Sequence, residues 1–412
     1  MAGKNRILEF FRKLGPGLIT GMSDDDPSGI ATYSQAGARF GVGLLWTALV
    51  TYPLMFAIQE MCARIGIVNR NGLAGVLRVH YPKVFGYMLL AFVVPAIILN
   101  IAADLAGMAA VAHLLFPYVP ELVYCLVFAF LSVIFLICFS YNQVAAVLKY
   151  FCLSLICYLI VPFLEKQDWQ KNLFSTFVPT IEWNYEWFSM FVAILGTTIS
   201  PYLFFWQASM SSEHCMHRDK TLRKEIKEMK FDVNLGMLLS NLVMYFIILS
   251  TATVLFGQGI KEINTVEDAA KALEPLAGEF AYLIFSIGIL GLGFLSIPVL
   301  TACIGYMLAE TFNWEKGLDQ KLFDAKPFYT VVILSIILGC VINIFGIDPI
   351  NSLIITAMIY GVITPFVILI ILHICNSKQI MGKQVNSMKM NILGGFCLFL
   401  MSFAALSLLI LI

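Results

Sequence analysis

Three consecutive carboxylates, Asp24-Asp25-Asp26, precede Pro27-Ser28-Gly29 in the middle of an apolar run from 14 to 40. Carboxylate oxygens bind cations or move protons, and neither role suits contact with lipid. One Asp at a helix centre costs about 2.5–3.5 kcal/mol to insert, so three facing lipid would cost about 8–10 kcal/mol. These groups must face protein, water or a cation. A second polar interruption, Gly196-Thr197-Thr198-Ile199-Ser200-Pro201, lies in another apolar run, with Pro201 174 residues after Pro27. Asp104 is a single carboxylate deep in a third run, in Asn100-Ile101-Ala102-Ala103-Asp104. Glu60 and Arg64 stand four apart in a fourth, the spacing of an ion pair on one helix face.

Each proline removes a backbone donor and disfavours helix at the residue before it. The expectation is two half-helices at each interruption, with Asp26 capping the second half of the first pair and Pro27 in its first turn. The end of a first half leaves carbonyls without intrahelical donors and carries partial negative charge. Those carbonyls fall near Met22 and Ser23 in one break, and near Gly196 and Thr197 in the other. With Asp26 and the Ser200 hydroxyl they make an oxygen-lined pocket of negative charge, which is a cation site. An anion would want arginine, and no Lys or Arg lies near either break. Oxygen donors suit Mg²⁺, Ca²⁺ or Mn²⁺ rather than later transition metals. Mg²⁺ gives up water reluctantly, and Ser28, Gly29 and Ser200 are small enough to leave room for a partly hydrated ion. Asp24 and Asp25 remain as accessory groups. Asp104 reads as a residue of the ion or proton path or as a structural hydrogen bond, and Glu60 with Arg64 as an internal salt bridge or gate contact. The cluster Glu213-His214-Cys215-Met216-His217 reads as a plain helix end.

The elements that must position these groups are membrane helices. Of 412 residues, 60% are hydrophobic and 13% charged, against about 25% charged in an ordinary soluble domain. Eleven apolar segments are long enough to span: 14–40, 43–65, 85–113, 121–139, 144–163, 187–212, 232–256, 279–309, 328–346, 349–374 and 390–412. The first holds the aspartates and lacks a cleavage pattern, so no cleavable signal is expected. Placing the N-terminus inside puts 21 of the 26 Lys and Arg on the inner side. Only Arg39, Lys166, Lys171, Lys261 and Lys271 fall outside, a strong positive-inside bias that puts the C-terminus outside. The basic run from Arg218 to Lys230 reads as a solvated inner loop. The two breaks fall in the first helices of two five-helix blocks, 14–163 and 187–374, that enter from opposite sides. That is the pattern of an inverted repeat with a substrate site between discontinuous helices. The zero formal charge suggests no nucleic-acid partner, and the ten scattered cysteines read as small buried hydrophobes.

The run Gly15-Pro16-Gly17, then Asp26-Pro27-Ser28-Gly29-Ile30-Ala31-Thr32, Gln35-Ala36-Gly37-Ala38, Phe40-Gly41 and Leu44-Leu45-Trp46, resembles the first helix of Nramp-type divalent-metal transporters. Gln59-Glu60-Met61-Cys62-Ala63-Arg64-Ile65-Gly66-Ile67 is similar to their second helix, and Asp104-Leu105-Ala106 to the start of their third-helix motif. The resemblance implies an all-α polytopic protein of LeuT-like fold: two inverted five-helix repeats plus an eleventh helix, with helices 1 and 6 broken. It implies Asp26 as metal ligand, Ser23 and Thr197 as carbonyl ligands, and Ser200 as a ligand by position. The family's first break reads Asp-Pro-Gly-Asn and its second Met-Pro-His. Here Gly29 stands for the asparagine, Ser200 for the methionine and Tyr202 for the histidine, and Gly107 replaces a third-helix glutamate tied to proton movement. These changes resemble the divergent prokaryotic branch of Nramp-related magnesium transporters. The expected function is a secondary transporter, not an enzyme. It imports Mg²⁺ first and Mn²⁺ second across a bacterial plasma membrane without coupled protons, and it has no cofactor and no obligate protein partner. The alternatives are a Na⁺-coupled carrier of an organic solute and, more remotely, an intramembrane aspartyl protease using Asp26 and Asp104.

Overall fold

The computed structural model describes residues 16–138, 156–216, 221–318, 320–346 and 348–411, and no strand occurs among them. The first expected span is two helices, α1 (Pro16–Asp24) and α2 (Pro27–Phe40). Then come α3 (Trp46–Asn69), α4 (Leu73–His80), α5 (Lys83–Leu115) and α6 (Glu121–Cys138). Most of the fifth expected span lies outside the described residues; its last part is α7 (Ile156–Leu164). After α8 (Trp169–Phe177), the sixth span is again split, into α9 (Tyr185–Thr198) and α10 (Pro201–Met216). The long α11 (Leu222–Val254) and α12 (Ala281–Phe312) follow, then α13 (Lys326–Asn343), α14 (Pro349–Asn376) and α15 (Met388–Leu411). The helices α4 and α8 lie in stretches expected to be connections only, and the basic run expected as a loop from Arg218 to Lys230 is, from Leu222 on, the first turns of α11. Asp168 caps α8 by accepting from the Lys171 amide.

Eight helices among the described residues are long and apolar enough to cross a membrane by length and composition. The first two expected spans qualify only as a joined pair, Pro27–Leu44 with Trp46–Asn69, bent by 108°. The first is cut short by its break. The second has length enough, but Gln59, Glu60 and Arg64 interrupt its apolar run. The α9–α10 span is 94% buried inside the protein and α6 only 22%. The broken helix therefore runs through the core, while α6 shows Leu122, Leu126 and Phe130 outward.

Two close backbone approaches fix where the breaks sit. A Cβ on Gly21 would lie 2.3 Å from the carbonyl oxygen of Gly236, so α1 rests directly on α11. The Asp232 carboxylate of α11 accepts from the first amides of α1, Gly17 N at 2.6 Å and Leu18 N at 3.4 Å. An anion at a helix N-terminus meets its free donors and positive dipole end. On the other side, a Cβ on Gly196 would lie 1.9 Å from the Ala357 carbonyl oxygen, seating α9 on α14. At the end of the bundle reached by α2, Gln35 clamps the 256–280 connection from both sides. Its amide donates to Lys261 O, and its carbonyl accepts from Ile263 N.

A side chain at position 196 cannot be accommodated without parting α9 from α14. Gly196→Val is expected to cost at least about 1–3 kcal/mol by overpacking, read as a lower melting temperature of the purified protein. An unchanged melting temperature would contradict this contact.

Candidate functional site

Asp26 is 2% exposed and bonded at both carboxylate oxygens. Oδ1 accepts from Gly29 N at 2.8 Å, because Asp26 has extended backbone and caps α2 as expected. Oδ2 accepts from Asn100 Nδ2 of α5 at 3.0 Å. Asp104 lies one turn beyond Asn100 on the same helix, and Ser296 of α12 donates to its Oδ2 at 2.9 Å. Sequence spacing left Asp104 without a titrating neighbour. In the structure it stands one turn from Asn100 on the face of α5 that meets Asp26. Gly107, further along α5, faces the Pro27 ring: a Cβ there would lie 3.8 Å from Pro27 Cβ.

The two breaks face each other. A Cβ on Gly29 would lie 3.5 Å from Thr197 Oγ1, and the hydroxyls of Tyr33 and Thr198 lie 3.3 Å apart. Tyr202 of α10 donates its hydroxyl to Ser23 O of α1 at 3.0 Å. This corrects the expectation of open carbonyls. Ser23 O has a phenol donor, while Ser200 Oγ lies 2.6 Å from Thr197 O and 2.9 Å from Gly196 O. Thr364 of α14 donates to Ile199 O at 3.2 Å. A buried carbonyl without water must find a donor, and the hydroxyls at the breaks supply it. Each carbonyl keeps a second lone pair, and the Ser200 oxygen keeps its own, so ligand capacity remains.

The other carboxylates point elsewhere. Ser240 of α11 lies 2.9 Å from Asp24 Oδ2 and 3.2 Å from Asp25 Oδ1, so these two face the seventh span. Glu60 belongs to neither break. It pairs with Arg64 at 3.1 Å and with Lys230 of α11 at 3.2 Å. Arg64 reaches onward to Gln384 O and Asn386 Oδ1. The salt-bridge reading holds, and the bridge ties α3, α11 and the segment before α15 together. α10 ends at Met216, as the helix-end reading of 213–217 expects, with His217 outside the described residues. Sequence spacing also placed no cysteine or histidine near a break. The fold brings Cys303 of α12 to the second break, where its thiol meets Tyr202 O at 3.2 Å.

Residues 17–411 match the family model for natural resistance-associated macrophage protein-like (Nramp) proteins. The chain belongs to the Nramp family. A divalent metal cation transporter MntH from Caldanaerobacter subterraneus is 25% identical over 403 residues, 94% of this chain and 90% of that one. A solved manganese transporter of Eremococcus coleocola superposes with TM-score 0.76 at 17% identity, over 95% of this chain and 85% of that one. MhsT in complex with L-phenylalanine superposes with TM-score 0.62 at 11% identity, covering 95% and 98%. These structures carry the fold alone, and it is the LeuT-like fold expected for Nramp proteins. Three residues at the two breaks escaped the sequence reading: Asn100, bonded to Asp26, Thr364, bonded to Ile199 O, and Tyr360, whose ring packs against Tyr202. Asn100 carried a signal, being four residues before Asp104 in an apolar run. Tyr360 and Thr364 carried none, because a lone hydroxyl in a span has many uses.

Glu60 and Arg64 are both buried, whereas Lys230 is half exposed. Glu60→Gln strands the Arg64 charge and is expected to cost about 3–5 kcal/mol. Lys230→Gln removes a solvated partner and should cost under about 1 kcal/mol. Melting of the purified variants reads the difference, and equal losses would contradict the pairing.

Proposed function

We propose that this Nramp protein imports a divalent metal cation by alternating access, Mg²⁺ first and Mn²⁺ second. The observation that carries the reading is Asp26, buried between two facing helix breaks. Its bonded and facing groups are carbonyls, hydroxyls and amides, with no Lys or Arg bonded to it among the described residues. The ligands are Asp26, the carbonyls of Ser23 and Thr197, and Ser200. The names of the relatives support the class: MntH is a divalent metal cation transporter, and the solved neighbour is a manganese transporter. An oxygen at position 200, where the family carries thioether sulfur, favours a hard ion and hence Mg²⁺. A site of small residues leaves such an ion some of its water. Asp24, Asp25 and Tyr202 support the first break rather than bind the ion. Glu60, paired with Arg64 and Lys230, ties α3 to α11 as an internal salt bridge away from the ion. The repeats run over about 14–163 and 187–374, with 390–412 as the extra helix. The charge bias supports a cytoplasmic N-terminus and an extracytoplasmic C-terminus in a bacterial plasma membrane. The transported ion is the only metal in this reading, with no cofactor or protein partner.

Proton coupling is absent in this reading. The family's third-helix glutamate is Gly107, packed on the Pro27 ring, and its sixth-helix imidazole is Tyr202, a phenol engaged with Ser23 O. A free phenol titrates near about 10, so it is a poor relay at neutral pH. The gradient suffices without protons, because an inside-negative potential of 100 mV works on a dication by about 4.6 kcal/mol.

Asp26→Ala should abolish Mg²⁺ and Mn²⁺ uptake into liposomes while the purified protein keeps its elution profile. Uptake at the parental rate would remove Asp26 from the site. With a pH-sensitive dye in the lumen and the potential clamped, Mg²⁺ entry should leave luminal pH unchanged. Metal-dependent acidification would refute uncoupled transport and return Asp104 to the role of proton carrier.

A further inference from the structure

Besides Asp24 Oδ1 on the broken helix itself, three oxygens of neighbouring helices near the breaks are buried without any hydrogen-bond partner among the described residues: Asn100 Oδ1, Asp104 Oδ1 and Tyr360 Oη. They come from α5 and α14, not from the broken helices. Asn100 Oδ1 belongs to the amide whose nitrogen holds Asp26 Oδ2, so it stands beside that carboxylate. Asp104 Oδ1 is left over after Ser296 takes Oδ2. The Tyr360 ring lies 5.6 Å from the ring of Tyr202, whose hydroxyl bonds Ser23 O three residues before Asp26. All three residues are essentially fully buried. Packing does not require such atoms, because leucine or phenylalanine would fill the volume with nothing unpaired.

We propose that Asn100, Asp104 and Tyr360 form an outer tier of the cation site, holding the water shell of the ion that Asp26 binds. The inference rests on the divalent-cation reading above. A water bound to a dication turns its oxygen to the metal and both hydrogens away. Its next neighbours must therefore be acceptors, and this wall offers an amide oxygen, a carboxylate oxygen and a phenol oxygen with free lone pairs. The breaks supply ligands from one side, and the tier faces the positions where water remains. Asn100 has a double part: its nitrogen orients Asp26 and its oxygen accepts from the shell. Mg²⁺ keeps several waters at its protein sites, so the tier serves Mg²⁺ more than an ion that sheds water readily.

Tyr360→Phe tests this with the loss of one atom, keeping the ring against Tyr202. Uptake of Mg²⁺ and of Mn²⁺ is measured separately in liposomes for the parent, Tyr360→Phe, Asn100→Leu and Asp26→Ala. The KM for Mg²⁺ should rise about five- to tenfold in Tyr360→Phe, the size of one lost hydrogen bond. The rise for Mn²⁺ should be at least about threefold smaller, because fewer waters depend on the wall. Asn100→Leu should impair both ions, since it also frees Asp26. Unchanged KM values in Tyr360→Phe, or equal rises for both ions, would overturn the tier. A parent that moves Mn²⁺ but not Mg²⁺ would overturn it too. In each of these cases, loss of uptake in Asp26→Ala leaves the cation reading standing, whereas parental uptake by Asp26→Ala overturns that reading itself.

Discussion

A carboxylate buried inside a membrane bundle is costly unless hydrogen bonds or a cation offset its lost hydration. Asp26 offsets that cost with one bond inside its own helix pair, from Gly29, and one from a neighbouring helix, through Asn100. The first bond exists only because the backbone is extended at Asp26, and the extended backbone exists because Pro27 follows. The break is thus the geometry that lets the carboxylate be buried. The remainder of the bundle holds that break in place. Asp232 fastens the start of α1, Gly21 lets α1 settle on α11, and Ser28 of α2 donates to Leu353 O of α14.

The second break is built differently, with no acidic side chain. Ile199 and Ser200 leave the helix, and two hydroxyls take up its carbonyls, Ser200 itself and Thr364, while Tyr202 reaches across the gap to Ser23 O of the first break. The two breaks therefore complement each other. One contributes the charge and the other contributes neutral oxygen dipoles, and Tyr202 physically links them through Ser23. A cation between them meets one full negative charge and several partial ones, which suits a hydrated dication that must also leave.

The parts of this architecture legible in the sequence were those with a strong local cost. Asp24-Asp25-Asp26 next to a proline could not be an ordinary span, and Ser200-Pro201 gained meaning from its matching position. The apolar runs gave most of the helices to within a few residues, because insertion energy sums over some twenty positions; α11 is the exception, since its first ten residues are rich in charge and carry no insertion signal. What stayed hidden were contacts of high sequence separation. Nothing local in Asn100 says that it meets a residue 74 positions earlier, or in Cys303 that its thiol meets Tyr202. The helices α4 and α8 were missed because they are short and lie in connections, where apolar length gives no signal. The carbonyl readings went wrong in an instructive way. Counting unsatisfied groups along one helix located them correctly, but side-chain hydroxyls satisfy them, Ser200 from within the same broken span and Tyr202 and Thr364 from other helices.

Those donors bear on how a site can hold an ion and still release it. A carbonyl with no donor would bind a cation tightly and be costly to leave bare in hydrocarbon. With a hydroxyl already on it, the carbonyl offers the ion only its second lone pair, or exchanges one partner for another. The net gain on binding is then the difference between two interactions rather than the whole of one. The same holds for Asp26, whose bonds to Gly29 and Asn100 stabilise the charge without any metal. Binding strength in such a site is limited by what it replaces. A carrier requires this, because an ion bound at full Coulombic strength inside the membrane would not come off on the other side. Alternating access needs only that the two helix breaks move apart on one side and together on the other. The hydroxyl of Tyr202 bridges α10 to α1, so any movement that parts these two half-helices breaks its bond to Ser23 O.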